Sequence, residues 1–168
     1  PEIAAIVGKS EANCRQIFHR AQGQVKAQRP RFDVSPEDHA ALVNQFIATM
    51  AKGEMDGLLQ MLTDDVIFAS DGGGKASAVL NKLSGPDKVA RLLMGLVTRG
   101  AGLYTVATRQ VNGRLALLLY NLEGGLENIF TFQFVQDETR PEQGARISHI
   151  HVMRNPDKLA RFVNTPID

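Results

Sequence analysis

The apolar positions of this chain change period partway along. As far as residue 100 they recur at helical spacing, and beyond it they alternate. Cys14, Ile17, Phe18, Ala21 and Val25 fall at i, i+3, i+4, i+7 and i+11, one face of a helix. Ahead of it Ile3, Ala4, Ile6 and Val7 form a short apolar helix ending at Gly8, and Ser10 is placed to cap the helix that follows. Arg29-Pro30-Arg31 ends that helix, because proline disfavours the α conformation of its predecessor. Ser35-Pro36-Glu37-Asp38 combines a cap, a proline at the first helical position and acids in the first turn. The predicted helix carries Leu42, Val43, Phe46, Ile47 and Met50, and Gly53 stops it. A shorter helix with Met55, Leu58, Leu59 and Leu62 follows. Gly85-Pro86 opens a third, with a stripe of Val89, Leu92, Leu93, Leu96 and Val97 as far as Gly100.

From Leu103 the alternation predicts strands. Leu103–Val111 and Arg114–Leu122 flank Asn112-Gly113, the strongest two-residue hairpin signal. Glu123-Gly124-Gly125 reverses the chain into a strand over 126–135, where Leu126, Phe130, Phe132 and Phe134 are expected on one face. A polar loop, Gln136–Gly144, leads to a last strand over 146–153, and Asn155-Pro156-Asp157 caps a terminal helix with Leu159, Phe162 and Val163. The short run Val66–Ala69 and the segment Lys75–Leu80 read as further extended pieces. Helices followed by a meander of antiparallel strands make an α+β plan, a curved sheet wrapped over helices. The expected organisation is a partial all-α helix-turn-helix at 1–28, a linker at 29–35, and the α+β body at 36–168.

Charge sharpens that division. Residues 1–31 hold six lysines and arginines against two acids, whereas the other 137 residues hold thirteen bases and sixteen acids. A basic arm on a mildly acidic body points to nucleic acid, although a solvated basic helix explains the charge as well. Ala4, Gly8, Cys14 and Ile17 have the spacing that packs a helix-turn-helix, whose second helix enters the major groove. On its polar face Lys9, Arg15 and Arg20 suit phosphates or guanine, and Asn13 and Gln16 suit adenine. One cysteine among 168 residues excludes an intrachain disulfide and fits a reducing, cytoplasmic compartment. No run of 18 apolar residues exists to span a membrane.

Asp71-Gly72-Gly73-Gly74-Lys75 is the most unusual string. Three glycines permit positive φ and close approach of another surface, and charged ends give the turn polar handles. A phosphate-binding loop is excluded, because Ala69 and Ala76 stand where that motif needs glycine and a hydroxyl. A tight structural turn and a protein-docking turn both remain. His149-x-His151 puts two imidazoles on one strand face with Ile147 and Met153, too few ligands for a metal site. No metal or cofactor is expected. Tyr104, Tyr120, Asn128 and His149, with Asp71, are the candidate polar groups of a pocket inside the sheet's curve. An enzyme there would need a carboxylate base opposite an oxyanion donor, and spacing fixes no such pair.

Two stretches carry a family resemblance. Glu2 to Ile17 resembles the end of region 4 in extracytoplasmic-function sigma factors. The body from about Ser35 resembles a SnoaL-like domain of the nuclear-transport-factor-2-like (NTF2-like) cone fold. Asp71–Lys75 and Asn155-Pro156-Asp157-Lys158-Leu159 are similar to two signatures of the SigJ-like sigma factors that carry this fusion. The resemblance implies that Ser10, Glu11, Asn13, Arg15, Gln16 and His19 lie among readers of the upstream promoter element. It implies RNA polymerase core and promoter DNA as partners, and a SnoaL-like domain that regulates from within the polypeptide. The glycine turn would pack on the linker between regions 2 and 4, and the Asn155–Leu159 segment would affect activity. Region 2, that linker and the start of region 4 are not in this sequence, so it reads as the C-terminal part of a longer protein, its glycine turn left idle. A small-ligand sensor, an isomerase- or cyclase-like enzyme, and a homodimer through the sheet are the alternatives such a domain brings.

Overall fold

The computed structural model describes residues 10, 13, 14, 16, 34–79, 81–136 and 144–163. The chain divides into two compact units, Pro1–Phe32 and Asp33–Asp168. In the first, Ser10 caps a helical turn as its sequence predicts: its Oγ accepts the Asn13 N–H at 3.3 Å and its carbonyl accepts the Cys14 N–H at 3.0 Å. Asn13 and Gln16 are exposed and Cys14 is half-buried. The other promoter-facing candidates, Lys9, Glu11, Arg15, His19 and Arg20, lie outside the described residues.

The second unit begins with α1 (Pro36–Lys52) and α2 (Met55–Met61), then β1 (Leu62–Asp71), β2 (Leu83–Ser84) and α3 (Pro86–Gly100). Four strands follow, β3 (Tyr104–Val111), β4 (Arg114–Asn121), β5 (Leu126–Gln136) and β6 (Ala145–Met153), before α4 (Pro156–Val163). The start of α1 is as predicted: Ser35 Oγ accepts the Asp38 N–H at 3.0 Å, and Gly53 closes the helix in the left-handed conformation. Asn112 (φ 52°) and Gly113 (φ 74°) form the expected hairpin turn between β3 and β4. Lys75–Val79 is not a strand. It returns as an irregular segment, with the Val79 N–H on Ser70 Oγ at 2.7 Å, and the short β2 takes the place beside β1.

The sheet order is β2-β1-β6-β5-β4-β3. All neighbouring pairs are antiparallel except β1 and β6, which run parallel. Its inner face is packed against α1, α2 and α3 by Val43, Phe46, Leu58, Phe68, Val89, Leu93, Phe130, Phe132, Phe134 and Ile150. Its outer face, at Ala116, Leu118 and Ile129, packs under Leu159 and Phe162 of α4. His39 is buried on the inner side; its Nε2 lies 3.2 Å from the Phe132 carbonyl and its ring meets Phe134 edge-on at 4.9 Å.

Two bulges correct the face assignments made from strict alternation. Leu119 pairs with Asn128 but Tyr120 pairs with Leu126, so Glu127 is an extra residue in β5. Leu126 therefore joins the outer face with Tyr120, while Phe130, Phe132 and Phe134 stay inside. Likewise Gln133 pairs with His149 and Phe134 with Ile147, which turns Ile147 inward and leaves His149, His151 and Met153 outside. Leu96 and Val97, the last of the predicted α3 stripe, are 38% and 40% exposed, because packing of α3 ends near Leu93.

Phe46 is 2% exposed and lies 4.9 Å from the Phe132 ring. Phe46→Ala is expected to cost about 3–5 kcal/mol of unfolding free energy, read by urea denaturation of the whole chain. A loss below about 1 kcal/mol would show that α1 does not seal the inner core.

Candidate functional site

Parallel pairing of β1 with β6 aligns Asp71 with Met153, so the segments after both strands leave the same end of the sheet. These are the glycine turn and Asn155–Leu159, the two motifs singled out from the sequence. The structure brings them together. Asp71 Oδ1 accepts the Gly73 N–H at 2.9 Å, and the Gly72 carbonyl accepts the N–H groups of Lys75 and Ala76 at 3.1 and 3.0 Å. On the other side Asn155 Oδ1 accepts the Asp157 N–H at 3.1 Å, and its carbonyl accepts the Leu159 N–H at 3.0 Å, which starts α4.

Two ion pairs cross between the motifs. Lys158 Nζ donates to Asp71 Oδ2 at 2.7 Å, and Lys75 Nζ donates to both Asp157 oxygens at 2.9 and 2.7 Å. The Asp71 carbonyl also accepts the Arg154 N–H at 2.7 Å, and Arg154 Nη1 donates to the Ser77 carbonyl at 2.5 Å. The charged ends of the turn are thus engaged inside the domain, which corrects the expectation of an idle turn. The Lys158 hydrogen bond, with that of the Gly73 N–H, holds the Asp71 carboxyl below its ordinary pKa.

Steric contact explains the glycines. A Cβ at Gly72 would stand 2.2 Å from the Ala76 carbonyl oxygen, and Gly72 is buried. A Cβ at Gly73, which has φ +60°, would fall on the Asn155 carboxamide at 2.3 Å. Gly74 also has positive φ, but open space surrounds it. Two glycines are demanded by a neighbour and the third by backbone conformation alone.

The four candidate pocket residues do not converge. Asn128 is 6% exposed on the inner face, in register with Leu119, where side chains of the core surround the sheet. His149 lies on the outer face, its ring stacked on His151 at 5.8 Å and its Nδ1 3.2 Å from Ser148 Oγ. Burial, then the neighbouring His149, pushes the His151 pKa down. Among the described residues no group of three His, Cys, Asp or Glu side chains is placed to hold a metal. Tyr104 donates from its hydroxyl to Glu127 Oε2 at 3.2 Å, and burial followed by the Glu127 charge raises its pKa. Tyr120 lines a cavity of about 760 Å³ under α4, with Arg109, Glu127, Arg154, Leu159 and Phe162. Sequence reasoning missed that cavity, because Glu127 reaches its wall only through the bulge and Arg109 looks like any surface residue of an edge strand.

Gly73→Ala is expected to destabilise the domain by about 1–3 kcal/mol, combining left-handed strain with displacement of Asn155. Gly74→Ala carries only the strain, about 1 kcal/mol. Equal urea midpoints for the two variants would remove the close-approach account. Acid supplies a second check. Because the folded pKa of Asp71 is depressed, its contribution is complete above the unfolded value near 3.8 and is lost as pH falls through the lower folded value. Asp71→Asn should flatten that acid limb in a pH-dependent melting series, and an unchanged limb would exclude the Asp71–Lys158 pair as its source.

No family model matches the chain. It is 37% identical over 126 residues to the extracytoplasmic-function RNA polymerase sigma factor SigJ of Mycobacterium tuberculosis, covering 73% of this chain and 40% of that protein. The crystal structure of that SigJ superposes with a TM-score of 0.64 at 29% identity, over 99% of this chain and 55% of the other. The chain therefore spans about half of the relatives it matches, or less. An NTF2-like protein of unknown function from Pseudomonas putida, at 11% identity and a TM-score of 0.51 over 70% of this chain and 84% of its own, shares the fold alone. No described helix is long and apolar enough to cross a membrane. The chain is homologous to the SigJ-like extracytoplasmic-function sigma factors, and its α+β unit has their SnoaL-like, NTF2-like fold.

Proposed function

We propose that this chain belongs to a cytoplasmic transcription initiation factor in which residues 1–28 help to read the upstream promoter element and the NTF2-like domain regulates that activity from within the polypeptide. Promoter DNA, RNA polymerase core, and a region 2 with its linker are the partners this reading requires. The observation that carries it is the joining of the glycine turn to Asn155–Leu159 in a chain homologous to SigJ. Together the two motifs form one charged, sterically fixed surface at the end of the sheet. A linker segment docked there would hold the promoter-reading part away from polymerase. Anything that competes with docking would shift the population towards the active arrangement.

A regulatory role is favoured over turnover by two features. The inner face is filled with Phe46, Phe68, Phe130, Phe132 and Phe134, and the polar groups an isomerase would need are split between the two faces. Small-ligand sensing is compatible with regulation, and the cavity under α4 is the place that favours it. α4 covers part of the outer face, the surface through which a homodimer would form.

The test is run-off transcription by polymerase core supplied with the natural protein that contains this sequence. Asp71→Asn and Lys158→Gln remove charge without adding a Cβ beside Asn155. Each is expected to change promoter output at least threefold with little change in melting temperature. Unchanged output from both would discard the regulatory role of the surface. For the promoter-reading helix, Arg15→Ala and Arg20→Ala should each weaken binding to a promoter duplex and lower the salt slope by about 1. An unaltered slope would remove those side chains from the phosphate contacts.

A further inference from the structure

The cavity under α4 combines cations with an apolar wall in a way that the docking surface does not require. Lys75, Arg109 and Arg154 line it against a single acid, Glu127. Glu127 is already held, by the Tyr104 hydroxyl at 3.2 Å and Asn121 Nδ2 at 3.1 Å. Lys75 is likewise engaged by Asp157. The two guanidinium groups differ. Arg109 has its Cζ 4.9 Å above the Phe162 ring, and no carboxylate pairs with it among the described residues. Arg154 bonds the Ser77 carbonyl through Nη1, yet its Nε is buried with no hydrogen-bond partner.

The remaining wall is apolar: Leu126 from β5, and Pro156, Leu159, Ala160 and Phe162 from α4. A volume of about 760 Å³ lies within the range that holds small organic ligands. Bare phosphate would leave most of that wall uncovered, whereas a neutral hydrocarbon would leave the Arg109 guanidinium on the wall without a counter-charge. We propose that this cavity is a binding site for a small organic carboxylate with a flat or apolar body. Its carboxylate meets the Arg109 and Arg154 side, and its body lies against Leu126, Leu159 and Phe162. The site is on the opposite sheet face from the filled interior of the cone. Occupancy brings an anion beside Lys75, the cation that Asp157 holds, so ligand and docking surface share one residue. That coupling rests on the regulatory reading above; the binding does not.

The probe is 2-naphthoate, titrated into the whole chain by calorimetry, with uncharged 2-naphthamide as its partner control. Saturable binding of naphthoate at least fivefold tighter than of the amide is expected. Arg109→Gln should weaken naphthoate at least fivefold and Arg109→Lys by less, each variant checked for unchanged circular dichroism. Backbone amide shifts should gather at Gly124, Gly125 and Ala160. No saturable binding up to millimolar probe, equal affinity for acid and amide, an unaffected Arg109→Gln variant, or shifts confined to the inner face would each overturn the proposal. Transcription is not part of this readout, so its result stands apart from that of the regulatory test.

Discussion

The space between Gly73 and Asn155 governs the architecture of this end of the molecule. One backbone, free of side chain, lies where a carboxamide needs to be. That carboxamide also starts α4 by accepting the Asp157 N–H. Once Asn155 is seated, Asp157 and Lys158 lie in the first turn of α4 with their heads directed at the two charged ends of the glycine turn. The same helix then lays Leu159 and Phe162 over the outer face and roofs the cavity. The ion-paired surface, the helix start and the cavity are therefore consequences of one close approach. The ion pairs themselves are exposed and contribute modestly to stability. Their role is to fix orientation, since crossed pairs of opposite charge admit only one alignment of the two segments.

Much of the fold was legible because its signals are local. Ser35-Pro36 and Gly53 bound a helix by capping chemistry, and Asn112-Gly113 turns a hairpin by permitting positive φ at two successive positions. The five strand and helix segments from Tyr104 onward lie within a residue or two of where alternation puts them. Other features depend on distant neighbours and were not legible. Parallel pairing of β1 and β6 joins residues some eighty positions apart. The bulges at Glu127 and near Ser148 each insert one residue, and a period of two has no memory across such an insertion. That is why Leu126 and Ile147 were expected on the wrong faces. Lys75–Val79 looks like a strand by composition, yet Ser70 captures the Val79 N–H and β2 holds the adjacent ladder position.

The candidate site divides in the same way. Both motifs were visible as strings, and the family resemblance named them as a pair. Their mutual contact was not visible, because the resemblance implies a partner for the turn in a linker outside this sequence. Tyr104, Tyr120, Asn128 and His149 are polar positions on strands, which makes them pocket candidates by sequence. Strand register, continuous from Tyr104 through Leu119 and Asn128 to His149, sends them to different faces and leaves Tyr120 alone of the four beside the cavity. Arg109 and Arg154 carried no sequence signal, because a guanidinium is ordinary on a surface and becomes unusual only when its surroundings withhold a partner.

The parallel pairing of β1 with β6 also sets a schedule. Asp71 and the Lys158 that answers it are separated by 87 residues of sequence. At a synthesis rate of roughly 5–20 residues per second, β1 waits roughly 4–17 s for its central neighbour to be made. During that interval its inner residues Val66 and Phe68 can pack on the helices already present, but the glycine turn has nothing to close upon. Order of emergence from the ribosome thus makes the turn's ion pairs with Asp157 and Lys158 among the last contacts of the domain to form.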